Sequence, residues 1–283
     1  MFFYLQKGMS VRILLISCVT SVLASSSFAA TILGTAADPA GLASTVEIFR
    51  NGIGPLNGNN PVNEDPNGRR QIDWDAAPDA VSDPNAFPGD FFNFSASPRA
   101  RGIEFIPTGS TTGFQLSSTA ASGEPVAFGF PDDFNPFSEE RMFTPIDGNT
   151  FDVQFFDPVD QVTPAASRGL GIVFNDVEVE GSTTFEIFDA EGNLIDSQNV
   201  PITGNGGLSF VGFVFDDPII ASASITAGNV SGPDFDGEDR VVMDDFIFGE
   251  PIPINVAPIP LPASALLLGG AILGLSALRR RRA

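Results

Sequence analysis

Ile219-Ile220-Ala221-Ser222-Ala223-Ser224-Ile225-Thr226 decides the fold, because it alternates at a period of two: Ile219, Ala221, Ala223 and Ile225 against Ile220, Ser222, Ser224 and Thr226. In a strand, residues i and i+2 share a face, whereas a helix brings i, i+3 and i+4 together. Gly228-Asn229 then closes the run as a turn. The same alternation appears where Val177 and Val179 interleave with Glu178 and Glu180. Residues 185–188 and 194–200 flank Asp189-Ala190-Glu191-Gly192-Asn193, which reads as a hairpin. Runs at 102–107, 125–130, 151–156, 170–174, 208–215 and 241–248 bring the expected total to about ten strands. No segment shows a long 3.6-residue period, and residues 37–100, rich in Asn, Gly, Pro and Asp, read as long loops around a few strands. Short strands separated by turn residues predict an all-β fold, an antiparallel jelly-roll-like β-sandwich. The 27 phenylalanines are expected to fill the space between its sheets.

Charge is unevenly placed along this chain of 283 residues. Every carboxylate lies between Asp38 and Glu250, while Lys7 and Arg12 sit at one end and Arg279, Arg280, Arg281 and Arg282 at the other. The middle therefore sets eight arginines against 35 carboxylates, more acidic than the whole-chain net charge of −21 suggests. Such a surface repels nucleic acid and anionic lipid, whose recognition needs cationic side chains. It suits divalent cations.

Missing residue types narrow the chemistry further. There is no His, and the only Lys, Tyr and Cys are Lys7, Tyr4 and Cys18. From residue 30 onward, Ser-His-Asp and Cys-His catalysis, Schiff-base lysines and zinc sites built on His or Cys are excluded. So is a disulfide. Carboxylates and arginines are the strong chemical groups that remain.

Two clusters of them stand out. Asp234, Asp236, Glu238 and Asp239 precede Asp244-Asp245. Strand alternation would put Asp244 on one face with Val242, Phe246 and Phe248, and Asp245 on the other with Val241, Met243 and Ile247. One carboxylate must then approach an apolar face, which requires a hydrogen-bonding partner, a bulge or a cation. Structural Ca²⁺ is the cofactor these oxygens would suit. An EF-hand is ruled out, since Asp239 stands where its glycine belongs and a strand follows instead of a helix. The second cluster is Asp73-Trp74-Asp75 after Arg69-Arg70. Trp74 is either a ring platform for a sugar with carboxylates for its hydroxyls, or a core anchor with an arginine pairing nearby acids. A glycosidase needs two suitably spaced carboxylates, but no motif singles out a pair among so many.

The two ends carry addressing signals. Residues 1–12 hold two positive charges and no negative ones, an apolar stretch follows at 13–23, and Ser27-Phe28-Ala29 supplies small residues at −3 and −1. This is the form of a signal peptide over 1–29, cut by signal peptidase between Ala29 and Ala30. Leu15-Ile16-Ser17-Cys18 also has the outline of a lipobox. At the other end, a Pro-rich linker at 251–258 leads to 18 residues without a charge, 261–278, and then the arginine tail. As a helix they would rise roughly 27 Å, a marginal membrane span. The arginines would stop on the cytoplasmic side.

Ile259-Pro260-Leu261-Pro262-Ala263, the Gly/Ala/Leu-rich span and the arginine tail together resemble the PEP-CTERM sorting signal in its VPLPA-type variant, with Ile for the leading Val. The resemblance covers 259–283. It implies recognition by an exosortase-type processing enzyme, in Gram-negative bacteria that secrete exopolysaccharide, with cleavage near the Pro-Leu-Pro-Ala motif and release from a transient inner-membrane intermediate. The body at 30–250 resembles an uncharacterised group of exported bacterial proteins that often carry the same tail. The matching stretches are Gly68-Arg69-Arg70-Gln71-Ile72-Asp73-Trp74-Asp75, Pro88-Gly89-Asp90-Phe91-Phe92, Arg101-Gly102 and Val241-Val242-Met243-Asp244-Asp245-Phe246-Ile247-Phe248-Gly249-Glu250. This second resemblance implies a fold and a cell-surface setting, and no activity.

The expectation is therefore a non-enzymatic exported surface or extracellular-matrix protein associated with exopolysaccharide, with no nucleic-acid partner. A calcium-dependent carbohydrate-binding module is the alternative, and a polysaccharide hydrolase using paired carboxylates is the third reading.

Overall fold

The computed structural model describes residues 29–124, 126–229 and 239–254. In chain order it contains β1 (Ala29–Ala36), α1 (Pro39–Ile53), β2 (Arg69–Ile72), β3 (Ile103–Pro107), β4 (Gly113–Leu116), β5 (Phe143–Ile146), β6 (Thr150–Phe155), β7 (Ala165–Ala166), β8 (Gly169–Asn175), β9 (Thr184–Phe188), β10 (Leu194–Asn199), β11 (Leu208–Phe215), β12 (Ser222–Thr226), β13 (Val242–Gly249) and β14 (Ile252–Pro253). Two large antiparallel sheets result, beside a separate two-stranded one of β14 and β7. The first has the order β1-β11-β8-β13-β5-β4, with β2 also paired to β13, and the second β10-β9-β12-β6-β3. Phe105, Phe143, Phe151, Phe185, Phe213 and Phe246 belong to the core between them. The expected antiparallel all-β sandwich is what these residues build.

The second sheet shows the alternation of a half-buried surface, as in β6 and β12. Three strands of the first sheet, β8, β11 and β13, are instead buried at every residue. The reason is a third layer. Helix α1 lies across their outer face, where Leu42, Val46, Phe49 and Ile53 meet Val173, Phe210 and Ile247. Phe49 packs edge-on against Phe210 with ring centroids 5.0 Å apart. It sits over Gly171 and Gly212, which face each other across β8 and β11, and a Cβ at either would fall 2.5 Å from the ring.

This helix corrects the expectation that residues 37–100 are loops without a helical period. Leu42, Val46, Phe49 and Ile53 are spaced 4, 3 and 4 apart, one apolar stripe. Asp38 accepts a 2.8 Å bond from the Gly41 amide as N-cap, and Pro39 occupies the first turn, where its missing N–H costs nothing. Three other expectations also change. Residues 127–129 form a single 3-10 turn in place of a strand. Val177 and Val179 lie outside any strand, and the Val177 carbonyl accepts from Thr203 N in a loop. The Pro-rich segment after Glu250 starts inside the body: Ile252 and Pro253 pair with Ala166 and Ala165 as β14, a short edge ladder of the kind that tolerates proline.

Among the described residues no helix is long and apolar enough to cross a membrane. The signal segment before Ala29, Asp234, Asp236 and Glu238, the sorting motif Ile259–Ala263 and the apolar span with Arg279–Arg282 lie outside the described residues.

Candidate functional site

The register of β13 against β8 runs Met243↔Phe174, then Phe246↔Ile172. Three steps on one strand oppose two on the other, so one extra residue is inserted at Asp244-Asp245, a β-bulge. The insertion changes the phase of the strand. Met243, Phe246 and Phe248 all point into the sandwich core, while Ile247 points under α1. The expectation that Asp244 and Asp245 occupy opposite faces is thereby corrected. Both carboxylates reach the same hydroxyl, Ser138 Oγ, at 3.0 Å from Asp244 Oδ1 and 2.8 Å from Asp245 Oδ1.

Both aspartates are buried, Asp244 at 0% and Asp245 at 1% exposure, so their partners decide whether the site is tolerable. Asp244 Oδ2 accepts from the amides of Phe137 at 2.6 Å and Ser138 at 3.3 Å. Asp245 Oδ2 accepts from Arg50 Nη2 at 2.9 Å, a residue in the last turn of α1. Ser138 has only one hydroxyl proton to give. With that proton committed to one carboxyl, the Ser138 oxygen is free to accept from the other, an arrangement that favours a proton on the pair. Burial, and then the neighbouring Asp245 charge, push the Asp244 acid well above the usual range. Burial also pushes Asp245 up to about 6, against the pull of Ser138 and Arg50. The arrangement is a carboxyl pair, biased toward holding a proton, that ties the 137–138 loop and α1 to the bulge. Sequence reading found the two acids but missed Arg50 and Ser138, which only the helix and a loop more than 100 residues distant bring to them.

The bulge also leaves the Asp244 carbonyl out of the ladder, and Trp74 Nε1 donates to it at 2.7 Å. The two sequence-predicted clusters thus meet, through a backbone bond rather than a shared ligand site. Trp74 follows the end of β2 with φ +66°, which turns its indole back under the sheet. It is 1% exposed and stacks on Phe143 with centroids 4.7 Å apart and planes 6° apart. The ring therefore presents no open face to solvent. Asp75 accepts from the Arg141 amide at 3.0 Å, and burial raises its acid. Arg70 is fully buried and grips Glu250 through Nε at 2.6 Å and Nη2 at 2.5 Å.

Asp239 is separate. Its carboxylate accepts from Glu178 N at 2.7 Å and from the Ser182 hydroxyl. Among the described residues no group of three or more Asp, Glu, His or Cys side chains is placed to hold a metal.

Beside Trp74, and opening outward from it, is a cavity of about 220 Å³ whose walls include Asp73, Phe91, Phe92, Arg99 and Arg101. Arg99 lies over the Phe91 and Phe94 rings, 3.9 and 4.2 Å from their centroids. Arg101 lies 4.5 Å over Phe92 and donates to Gln71 O at 2.6 Å and Pro98 O at 3.0 Å. Burial lowers the Arg101 guanidinium to about 10, with Asp73 opposing the shift.

No protein-family model matches the sequence, and no curated protein sequence matches it. Among solved structures, one described as the enzymatically active domain of Bacteriophage CBA120 tailspike protein 4 is similar over 58% of this chain and 20% of that chain, at 13% identity and a TM-score of 0.27. A likeness that low carries no argument about fold or activity.

Proposed function

We propose that the chain is an exported, non-enzymatic surface or matrix protein, delivered by its signal segment, sorted through Ile259-Pro260-Leu261-Pro262-Ala263 and associated with exopolysaccharide. The observation that carries this reading is the fit between the sequence-defined ends and the packed body. β1 carries Ala29 and Ala30, the two residues of the expected cleavage bond, and pairs with β11 residue by residue from Ala29↔Phe215 to Ala36↔Leu208. At the other end, Ile254 N still bonds Pro164 O at 2.9 Å, five residues before the sorting motif. Ala29 is shared by strand and signal segment, and the seven pairs from Ala30↔Val214 to Ala36↔Leu208 would remain after cleavage.

We also read the sandwich as a jelly roll. Taking β5, β6, β8, β9, β10, β11, β12 and β13 as its eight strands, the orders β5-β13-β8-β11 and β6-β12-β9-β10 match the two interleaved four-stranded sheets of that topology. The non-enzymatic reading is supported by the burial of Asp244 and Asp245. Both acids of that pair are closed off from solvent.

Intact mass of the mature protein from its native host, taken separately in envelope and medium, tests the proposal. A species beginning at Ala30 and ending near Pro262 is expected. A membrane-bound species retaining Arg279–Arg282 would make the tail a permanent anchor and sink the sorting reading.

A further inference from the structure

We propose that the cavity beside Trp74 is a binding site for one carboxylated sugar ring, a hexuronate, held by Arg99 and Arg101 through its carboxylate and by Asp73 through its hydroxyls. The inference stands apart from tail processing, since it needs only the folded body.

The charge pattern is the first argument. In a body with 35 carboxylates and eight arginines, cations are scarce and acids are everywhere. Arg50, Arg70, Arg141 and Arg240 each pair with a carboxylate, while Arg69 and Arg168 donate to the carbonyls of Gly54 and Phe215. Arg99 and Arg101, two residues apart, line one cavity, and among the described residues neither has a carboxylate within ion-pair distance. Asp73, which also lines the cavity, is the carboxylate that acts on Arg101, so two neighbouring cations keep N–H edges that an anion would complete.

Preorganisation is the second. The Arg99 guanidinium is flanked by two phenylalanine rings, and its Nε donates to Phe91 O at 2.7 Å. Arg101 is 8% exposed and fixed by two carbonyls and the Phe92 face. A guanidinium held flat offers its remaining N–H edge to a carboxylate with little entropy left to lose.

The occupant follows from the rest of the wall. A plain inorganic anion would gain nothing from Phe91, Phe92 and the Trp74 edge, and would be repelled by Asp73. A sugar acid uses every part: carboxylate to arginine, ring C–H face to the aromatic wall, hydroxyl donors to Asp73. At about 220 Å³ the cavity is smaller than the roughly 300 Å³ at which sites for drug-sized ligands begin. That leaves room for a single ring.

Trp74 is the only tryptophan and lines the cavity, so its emission reports on this site alone. The full-length protein is titrated with sodium glucuronate, with glucose and sodium acetate as controls, followed by calorimetry and by Trp74 fluorescence. Saturable glucuronate binding that moves the emission, with glucose and acetate each weaker by about tenfold or more, is expected. Arg99→Gln, at a partly buried position, should weaken glucuronate by about tenfold, the scale of one lost bidentate charge pair. Should that variant unfold, Arg99→Lys keeps the charge, loses the planar fork and is expected to weaken binding as well. Glucose binding as tightly as glucuronate, acetate doing so, heat without a change in Trp74 emission, or no saturable binding would each overturn the assignment.

Discussion

The indole nitrogen of Trp74 donates a 2.7 Å hydrogen bond to the backbone carbonyl of Asp244. The partner is the carbonyl that the β-bulge releases from the β8–β13 ladder, so the sheet's irregularity and its one tryptophan form a unit. Above the bulge two carboxyls share Ser138, and below it the indole stacks on Phe143. A defect in the ladder has become the joint between the 137–138 loop, α1 and the core.

Trp74→Phe should therefore cost more than the lost ring area. Phenylalanine fills much of the same space but leaves the Asp244 carbonyl buried and unpaired, a penalty of about 1–3 kcal/mol. Urea unfolding measures it. An unchanged midpoint would mean that the bond contributes nothing and that water or a shift of β13 satisfies the carbonyl.

Stability should fall as pH rises from about 4 into the neutral range. An aspartate titrates near 3.9 when unfolded, whereas burial pushes Asp245 to about 6 and Asp244 well above its usual range. Across that window the folded state holds more protons than the unfolded one, so each unit of pH removes stability. The contribution is complete below about pH 4 and is lost as pH climbs through each folded value. Asp176, raised to about 6 mainly by burial, acts in the same direction, so a variant is needed to isolate the pair. In Asp244→Asn the amide oxygen can still accept from Phe137 N while its NH₂ faces Asp245, imitating the protonated acid. Its unfolding midpoint should vary less between pH 5 and pH 8 than that of the parent. Parallel pH profiles for the two proteins would remove Asp244 from the titrating pair.

The sandwich was legible because its strands alternate and its turns carry Gly, Asn and Asp, as in residues 219–229 and the 185–200 hairpin. The helix was hidden by composition. Residues 39–53 include Gly41, Gly52, Thr45 and Val46, poor helix formers whose cost is offset by packing of the 42-46-49-53 stripe. At the candidate site, the acid pair stood out as carboxylates within an apolar strand. Its bulge did not, because alternation assumes an unbroken ladder and the extra residue reverses the faces from Asp245 onward. Arg50 and Ser138 had no local signal at all, since only tertiary packing sets them against Asp245.

Gly212→Ala should destabilise through space rather than backbone conformation. The added methyl would lie 2.5 Å from the Phe49 ring, which is boxed in by Phe210 and the opposite Gly171. Phe49 must shift, an overpacking cost of about 1–3 kcal/mol. Phe49→Ala alone should cost about 3–5 kcal/mol. In the double variant the methyl enters vacated space, so the combined loss should be smaller than the sum. Strict additivity in urea unfolding would show that the glycine serves some other contact.

Glu250 directly follows β13, and its charge should be indispensable to folding. Its carboxylate takes both Arg70 nitrogens and Asn57 Nδ2, the last at 2.8 Å, while its amide donates to Gly68 O at 2.9 Å. Arg70 has no exposed surface and also donates to the carbonyls of Ala100 and Asn60. Glu250→Gln would leave a buried guanidinium without its counter-charge, a loss of about 3–5 kcal/mol. Arg70→Met in the same background removes the orphaned cation. The double variant should then be more stable than Glu250→Gln alone, although Ala100 and Asn60 lose a donor. Urea unfolding of the three variants decides it. A double variant weaker than the single one would mean that Arg70 stabilises the 60–100 segment chiefly through its carbonyl bonds, with Glu250 a secondary partner.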